Sequence, residues 1–269
     1  MSNVPENLLY TAEHEYVART SDPRLVYLHQ PNRGPAAARN LALAAARGEL
    51  VAFLDADDLW QPTKLERHLA LMDADPRIGM SFSWFAVFQD GEAPAAPWFT
   101  PPTRTRLTWT DFLERNWTGH SSSVVVRTRC LRTLGGFDPA FFTGEDYHLW
   151  LRIAQSGWPI AFLGEPLSLY RKRPGSLTVD DLQIALDHLK VLENIAQRAE
   201  ADHAPRIRRA IRTGWLDVAW SYLKRGRFAP ALGALGRGYP AAGDFVSERL
   251  GRKLLAARGY APGPLSYEE

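Results

Sequence analysis

Residues 49–60, ELVAFLDADDLW, constrain this chain more than any other stretch. The short apolar run 50–54 has the pattern of a strand covered on both faces. It passes without a break into Asp55, Asp57 and Asp58. Carboxylates at that density repel one another, which favours a bound cation, or else a helix N-terminus to receive them. Just upstream, PAAARNLALAAARG has a proline at the first helical position, an alanine-rich body and Gly48 past its end. RLVYLHQ (24–30) reads as a short strand, and 31–34 as a turn. Strand, helix, strand predicts a βαβ unit with parallel pairing. Ligands of open α/β sheets bind beyond the carboxyl ends of the strands, where Asp55 is placed.

The pattern continues downstream. PTKLERHLALM predicts a helix with Leu65, Leu69 and Met72 on one face, and IGMSFSWFAVFQ a strand. Residues 93–104 are proline-rich loop. SSSVVVR (121–127) is strand-like, TRCLRTLGG (128–136) a helix closed by glycine, EDYHLWLRIAQSG (145–157) a helix burying Leu149, Trp150 and Ile153, and WPIAFL (158–163) a strand. From about residue 180 strands give way to helices. AWSYLKRGRFAPALGALGRG (219–238) predicts two helices around Gly226, a single hairpin of tetratricopeptide type; a repeat array needs about three such units. The expected organisation is an α/β core over 1–179 and a helical region over 180–269.

Composition narrows the class. With 269 residues, 45% hydrophobic and 23% charged, the chain is an ordinary globular protein of one large domain plus an appendage. A lone cysteine, Cys130, excludes an internal disulfide framework. No run approaches the ~18 apolar residues of a membrane span, and the N-terminus lacks a signal-peptide pattern. The cytoplasm is therefore the expected compartment. The net charge of +2 hides an asymmetry: residues 201–260 hold twelve Lys and Arg against four Asp and Glu. Such a tail suits phosphates or an anionic membrane surface, or is simply a set of solvated helix faces. No aromatic-rich motif accompanies it, so nucleic acid is not an expected partner.

Residues i and i+2 of an extended segment share a side, so Asp55 and Asp57 are expected to face one point, where two hard oxygen donors suit Mg²⁺ or Mn²⁺ carrying a diphosphate. The competing reading is that Asp57 or Asp58 caps the helix beginning near Pro62. An EF-hand is excluded, because Trp60 stands where that loop needs glycine. A second acidic pair, Glu145 and Asp146, opens a helix that Thr143 is placed to cap, and it can equally supply a general base. A metal site and a base on one α/β core suggest substitution at a sugar carbon with a nucleoside diphosphate leaving.

NRGPAAARNLALAAARGELVAFLDADDLWQPTKLERHL, then SSVVVRTRCLRTLGGFDPAFFTGEDYHLWLRIAQSG, then YRKRPGSLT resemble glycosyltransferase family 2, the inverting enzymes of GT-A fold, from about residue 22 to 178. The resemblance implies that Asp55 and Asp57 form the Asp-x-Asp pair contacting donor ribose and divalent metal. It implies that Arg39 touches the nucleotide base and that Asp146 is the catalytic base, with Glu145 orienting it or the acceptor. The donor would be a nucleotide sugar, and the acceptor a glycan or lipid-linked hydroxyl. The basic helical tail would then fit peripheral contact with the inner face of a membrane. Two departures stand out. Many relatives carry histidine where this chain has Arg173, which cannot ligate a metal but can neutralise a diphosphate. The family also opens with a strand, helix and strand ending near Asp-Asp-Gly-Ser, whereas only residues 1–21 precede DPRLVYLHQ here. That places a gap in the sheet between 25–29 and 50–54 and leaves a non-catalytic, glycosyltransferase-like binding module as the alternative function. A nucleotidyltransferase is a third possibility, against which the Glu-Asp helix and GGFDP speak. Phe99, Trp109 and Trp117, with Trp98, are candidates to stack on an acceptor sugar or to pack.

Overall fold

The computed structural model describes residues 26–97, 99–173 and 180–239, together with the backbone of two short strands, β1 (Leu8–Tyr10) and β2 (Tyr16–Ala18). These two pair antiparallel with each other, Leu8 opposite Ala18, in a sheet of their own. Trp98, residues 174–179 of the YRKRPGSLT motif and its flank, and the basic residues beyond 239 lie outside the described residues.

The main sheet is mixed and has six strands. β3 (Leu50–Ala52), β7 (Val124–Arg127), β5 (Met80–Phe88), β8 (Ile160–Arg171) and β4 (Leu59–Trp60) follow one another in space, and β6 (Arg106–Leu107) pairs with the first part of β8. Among the described strands only β5 and β8 run parallel; β3 and β7, β7 and β5, and β8 with β4 and β6 are antiparallel. The register between β5 and β8 slips between Ser83 and Phe85, where Leu163 and then Pro166 face successive residues. Such a bulge bends and twists its strand. Beyond it, the second half of β8 runs alongside β4 toward the acidic turn.

The predicted βαβ unit is not formed. α1 (Gly34–Ala45) and β3 stand where expected, but residues 26–30 join no strand, and β3 pairs antiparallel with β7 alone among the described strands. Val26, Tyr27 and Leu28 are exposed. An apolar run cannot become a strand without a neighbour to take its backbone hydrogen bonds. The helix predicted from Pro62 is α2 (Lys64–Ala74), with its face shifted by one residue: Lys64, His68 and Met72 are buried while Leu65 and Leu69 are exposed. The stripe carrying two polar residues goes inward because each finds a partner there. Lys64 Nζ lies 3.0 Å from His68 Nε2 and donates to the Ser123 carbonyl at 3.1 Å, and His68 Nδ1 lies 2.7 Å from Ser81 Oγ.

α3 (Trp109–Glu114), α4 (Thr128–Thr133) and α5 (Glu145–Gln155) flank the sheet. Leu149, Trp150 and Ile153 of α5 are buried, as their spacing predicts. Trp150 meets Phe53 and Phe137 at ring separations of 5.9 and 6.1 Å, and those two rings meet edge-on at 5.4 Å. Burying side chains of this size contributes roughly 1.5–3 kcal/mol each. The trio clamps the end of the β3 segment onto α5. Phe99 and Trp109 belong to this core and do not present stacking faces, while Trp117, partly buried, donates its indole N–H to the Asp111 carbonyl at 2.9 Å.

The helical region consists of α6 (Asp181–Arg198), α7 (Ala204–Lys224) and α8 (Phe228–Gly238). Val191, Leu192, Ile195 and Ile207 join the same apolar cluster as the sheet, so the change from mixed to helical structure near 180 is not a break in the core. No helix among the described residues is long and apolar enough to cross a membrane.

Candidate active site

The acidic segment is a turn, not an extended strand. The Asp58 N–H donates to the Asp55 carbonyl at 3.0 Å, so the i, i+2 argument for a shared side does not apply. Each carboxylate instead has its own cationic or polar partner. Asp55 Oδ1 accepts from Arg39 at 2.7 Å, and Arg173 Nε lies 2.9 Å from Asp57 Oδ2. Each contact uses one oxygen of its carboxylate, and the remaining oxygens are hard donors of the kind Mg²⁺ or Mn²⁺ takes.

Neither Asp57 nor Asp58 caps α2, whose N-cap is Thr63. Asp58 is buried and holds the turn in place. It accepts from the Ser122 hydroxyl at 2.7 Å and from the Arg171 backbone N–H at 2.9 Å. Ser122 Oγ accepts in turn from the Asp55 N–H at 2.9 Å, and its carbonyl accepts from Trp60 Nε1 at 2.8 Å. Burial, reinforced by the charges of Asp55 and Asp57, pushes Asp58 up to about 7 against the pull of those hydrogen bonds. Arg171 donates its Nε to the Asp57 carbonyl at 2.7 Å and pairs with Asp90. Residues 121–123, expected as strand, are a short 3-10 turn, and this frees the Ser122 hydroxyl and carbonyl to grip the acidic turn.

The second acidic pair is reached through Arg39. Its Nη1 donates to Glu145 Oε1 at 2.5 Å while Nη2 holds Asp55. Burial pulls the guanidinium pKa down, but the carboxylates of Asp55 and Glu145 outweigh it and keep the arginine charged. The neighbouring Asn40 fixes the helix that carries Arg39: its amide donates to the Phe137 carbonyl at 2.8 Å and accepts the Phe137 N–H at 2.9 Å. Gly136, at φ +71°, permits this approach, since a Cβ there would lie 2.5 Å from Asn40 Oδ1. The ARN and GGFD stretches are thus two halves of one joint.

Glu145 and Asp146 open α5 behind Gly144, which takes φ +76° as its N-cap. Thr143 does not cap the helix; its hydroxyl donates to Asp187 of α6 and ties the entry loop to that helix. Burial pushes Glu145 up to about 7, with Asp146's charge adding and Arg39 opposing. Burial also raises Asp146, again against Arg39. Asp146 Oδ1 accepts the Tyr147 N–H at 2.6 Å. His188 of α6 acts electrostatically on Asp146 and sits 5.0 Å from the Tyr147 ring; burial holds its imidazole below the ordinary histidine range. Asp55, Glu145 and Asp146 therefore gather around Arg39, with Arg173, just past the end of β8, paired to Asp57 of the acidic turn. Sequence reasoning missed Ser122, Asp58's buttressing role and His188. Only the SSS run beside a strand hinted at the first, and nothing local marked the last.

The mostly antiparallel curled sheet with this site at one end has the GT-A fold, shared with the mannosyltransferase PcManGT of Pyrobaculum calidifontis, solved with GDP-Man and Mn²⁺ (TM-score 0.52, 20% identity, 84% of this chain and 61% of that one). The family model described as glycosyl transferase family 2 matches residues 11–133, and one described as glycosyltransferase like family 2 matches 105–198. The chain belongs to glycosyltransferase family 2. It is 31% identical over 147 residues to the putative teichuronic acid biosynthesis glycosyltransferase TuaG of Bacillus subtilis, covering 55% of this chain and 56% of that one. It is 32% identical over 138 residues to the UDP-Glc:alpha-D-GlcNAc-diphosphoundecaprenol beta-1,3-glucosyltransferase WfgD of Escherichia coli, covering 51% of each. The chain thus spans about half the length of the curated relatives it matches.

Proposed function

We propose that this chain transfers a sugar from a nucleotide-sugar donor to a hydroxyl of a glycan or lipid-linked acceptor, by single displacement with inversion at the anomeric carbon. One observation carries the reading: Arg39 holds Asp55 and Glu145 at 2.7 and 2.5 Å, so the acidic turn and the α5 carboxyls serve one site. Asp55 and Asp57 bind the donor's ribose and diphosphate end. Asp55 and Asp57 would hold a divalent cation, which would neutralise charge on the leaving diphosphate. Arg173, beside Asp57, adds a fixed positive charge to the same end. Arg39 binds on the donor side and fixes the spacing between donor and base. Asp146 accepts the acceptor hydroxyl's proton, and Glu145, locked by Arg39, orients it. The similarity to TuaG, named for teichuronic acid biosynthesis, and to WfgD, named for a diphosphoundecaprenol-linked acceptor, supports a polysaccharide or lipid-linked acceptor class.

The test is a transfer assay on Asp57→Asn and Asp146→Asn. Each is expected to lose transfer by about 10³-fold or more with thermal unfolding unchanged. Full activity in both contradicts the reading. A second reading, a non-catalytic, glycosyltransferase-like binding module, draws on β3 having a single partner among the described strands. It expects a folded chain with no nucleotide affinity.

A further inference from the structure

α8 is built inside out. Its face against α7 consists of Ala231, Ala234 and Gly238, all buried. The approach is so close that a Cβ on Gly238 would lie 2.4 Å from Leu216 Cδ2 and 2.8 Å from the Arg212 carbonyl. Its large apolar residues point the other way. Phe228 is 68% exposed, Leu232 69%, Leu235 37% and Tyr239 78%. Their spacing of four, three and four residues puts them on one stripe roughly 16 Å long at about 1.5 Å per residue. A globular protein scatters single exposed apolar residues but rarely aligns them, and aligned ones mark a docking surface.

Charge indicates what docks. Between residues 204 and 239 Asp217 is the lone acid; Lys224 and Arg225 pair with Asp181 and Asp180 at the start of α6, so the excess positive charge is carried by Arg206, Arg208, Arg209, Arg212, Arg227 and Arg237. The stripe is bracketed by this charge: Arg227 immediately precedes Phe228 and lies over the Tyr222 ring at 5.2 Å, and Arg237 lies over Trp215 at 4.3 Å. A second copy of the hairpin would bring the same positive charge against itself. A surface both apolar and anionic satisfies the whole face, and the anionic headgroups and acyl boundary of a bilayer are such a surface.

We propose that the outer face of α8 docks in the plane of an anionic lipid bilayer, with Phe228, Leu232, Leu235 and Tyr239 inserted at the acyl boundary and the hairpin's arginines over the headgroups. The inference does not depend on the glycosyl-transfer reading, although a lipid-linked acceptor would be met there.

The experiment is flotation of the full chain with phosphatidylcholine vesicles, with and without phosphatidylglycerol, at low and high salt, alongside Leu232→Asp and the double variant Arg227→Glu/Arg237→Glu. All three positions are exposed on the outer hairpin, and circular dichroism verifies that each variant is folded. The wild type is expected to float with phosphatidylglycerol vesicles and far less with phosphatidylcholine alone. Leu232→Asp is expected to lower partitioning about tenfold or more, and the charge variant to lower it and flatten its salt dependence. Three results overturn the proposal: no flotation of the folded wild type with phosphatidylglycerol, equal partitioning of the Leu232→Asp variant, or a self-associated wild type that Leu232→Asp converts to monomer, which would assign the stripe to a second copy.

Discussion

The two ends of the main sheet are finished differently. At the β4 end, the acidic turn is gripped from behind through the neighbouring β8: Asp58 takes hydrogen bonds from Ser122 and the Arg171 backbone, and Arg171 in turn holds the Asp57 carbonyl. At the β3 end, Leu50–Ala52 has β7 on one side and no described strand on the other, and residues 26–30 pass by without pairing. The same turn therefore has one rigid support and one open flank. In the proposed donor site, Asp55 and Asp57 would be held by the rigid support, and the nucleotide base would be met on the flank.

The comparison is sharpened most by the pH dependence of transfer. A general base must be ionised, and burial raises both Glu145, to about 7, and Asp146. The loss of activity on acidification is therefore expected above the ordinary carboxylate range and not near pH 4, with kcat/KM falling about tenfold per pH unit below the fall. A profile flat from pH 8 to 5.5 would separate the α5 carboxyls from catalysis.

Stability variants probe the two ends directly. Asp58→Ala leaves the Ser122 hydroxyl and the Arg171 N–H without their acceptor, and is expected to cost about 2–3 kcal/mol by denaturant unfolding and to weaken donor binding with it. Val51→Ala, on the half-buried edge strand, is expected to cost only about 1 kcal/mol. Equal costs would mean that the β3 end is as firmly built as the other.

Much of this was legible in the chain itself. The helix α1, the strand β5 and the buried face of α5 follow from period and punctuation alone, and the family resemblance placed Asp55, Asp57, Glu145 and Asp146 before any geometry was known. The failures have physical causes. RLVYLHQ has strand composition, but a strand exists only with a partner, and pairing is not written in the run itself. In α2 the apolar Leu65 and Leu69 lost the inward face to Lys64 and His68, because a chain of hydrogen bonds through Ser81 and Ser123 made burial of polar groups affordable. Asp58 looked like a helix cap because its true partners, Ser122 and Arg171, lie 64 and 113 residues away. Arg39 as a bridge between the two acidic sites was invisible for the same reason.

The central claim, that the acidic turn is a donor diphosphate site despite its open flank, is tested most directly by calorimetric titration with UDP, GDP and dTDP, with and without Mn²⁺, on the wild type and Asp57→Asn. The account predicts that one nucleotide binds the wild type, that Mn²⁺ strengthens it about tenfold or more, and that Asp57→Asn removes the metal's effect. A folded chain that binds none of the three, or that binds equally well with Asn at 57, would contradict it.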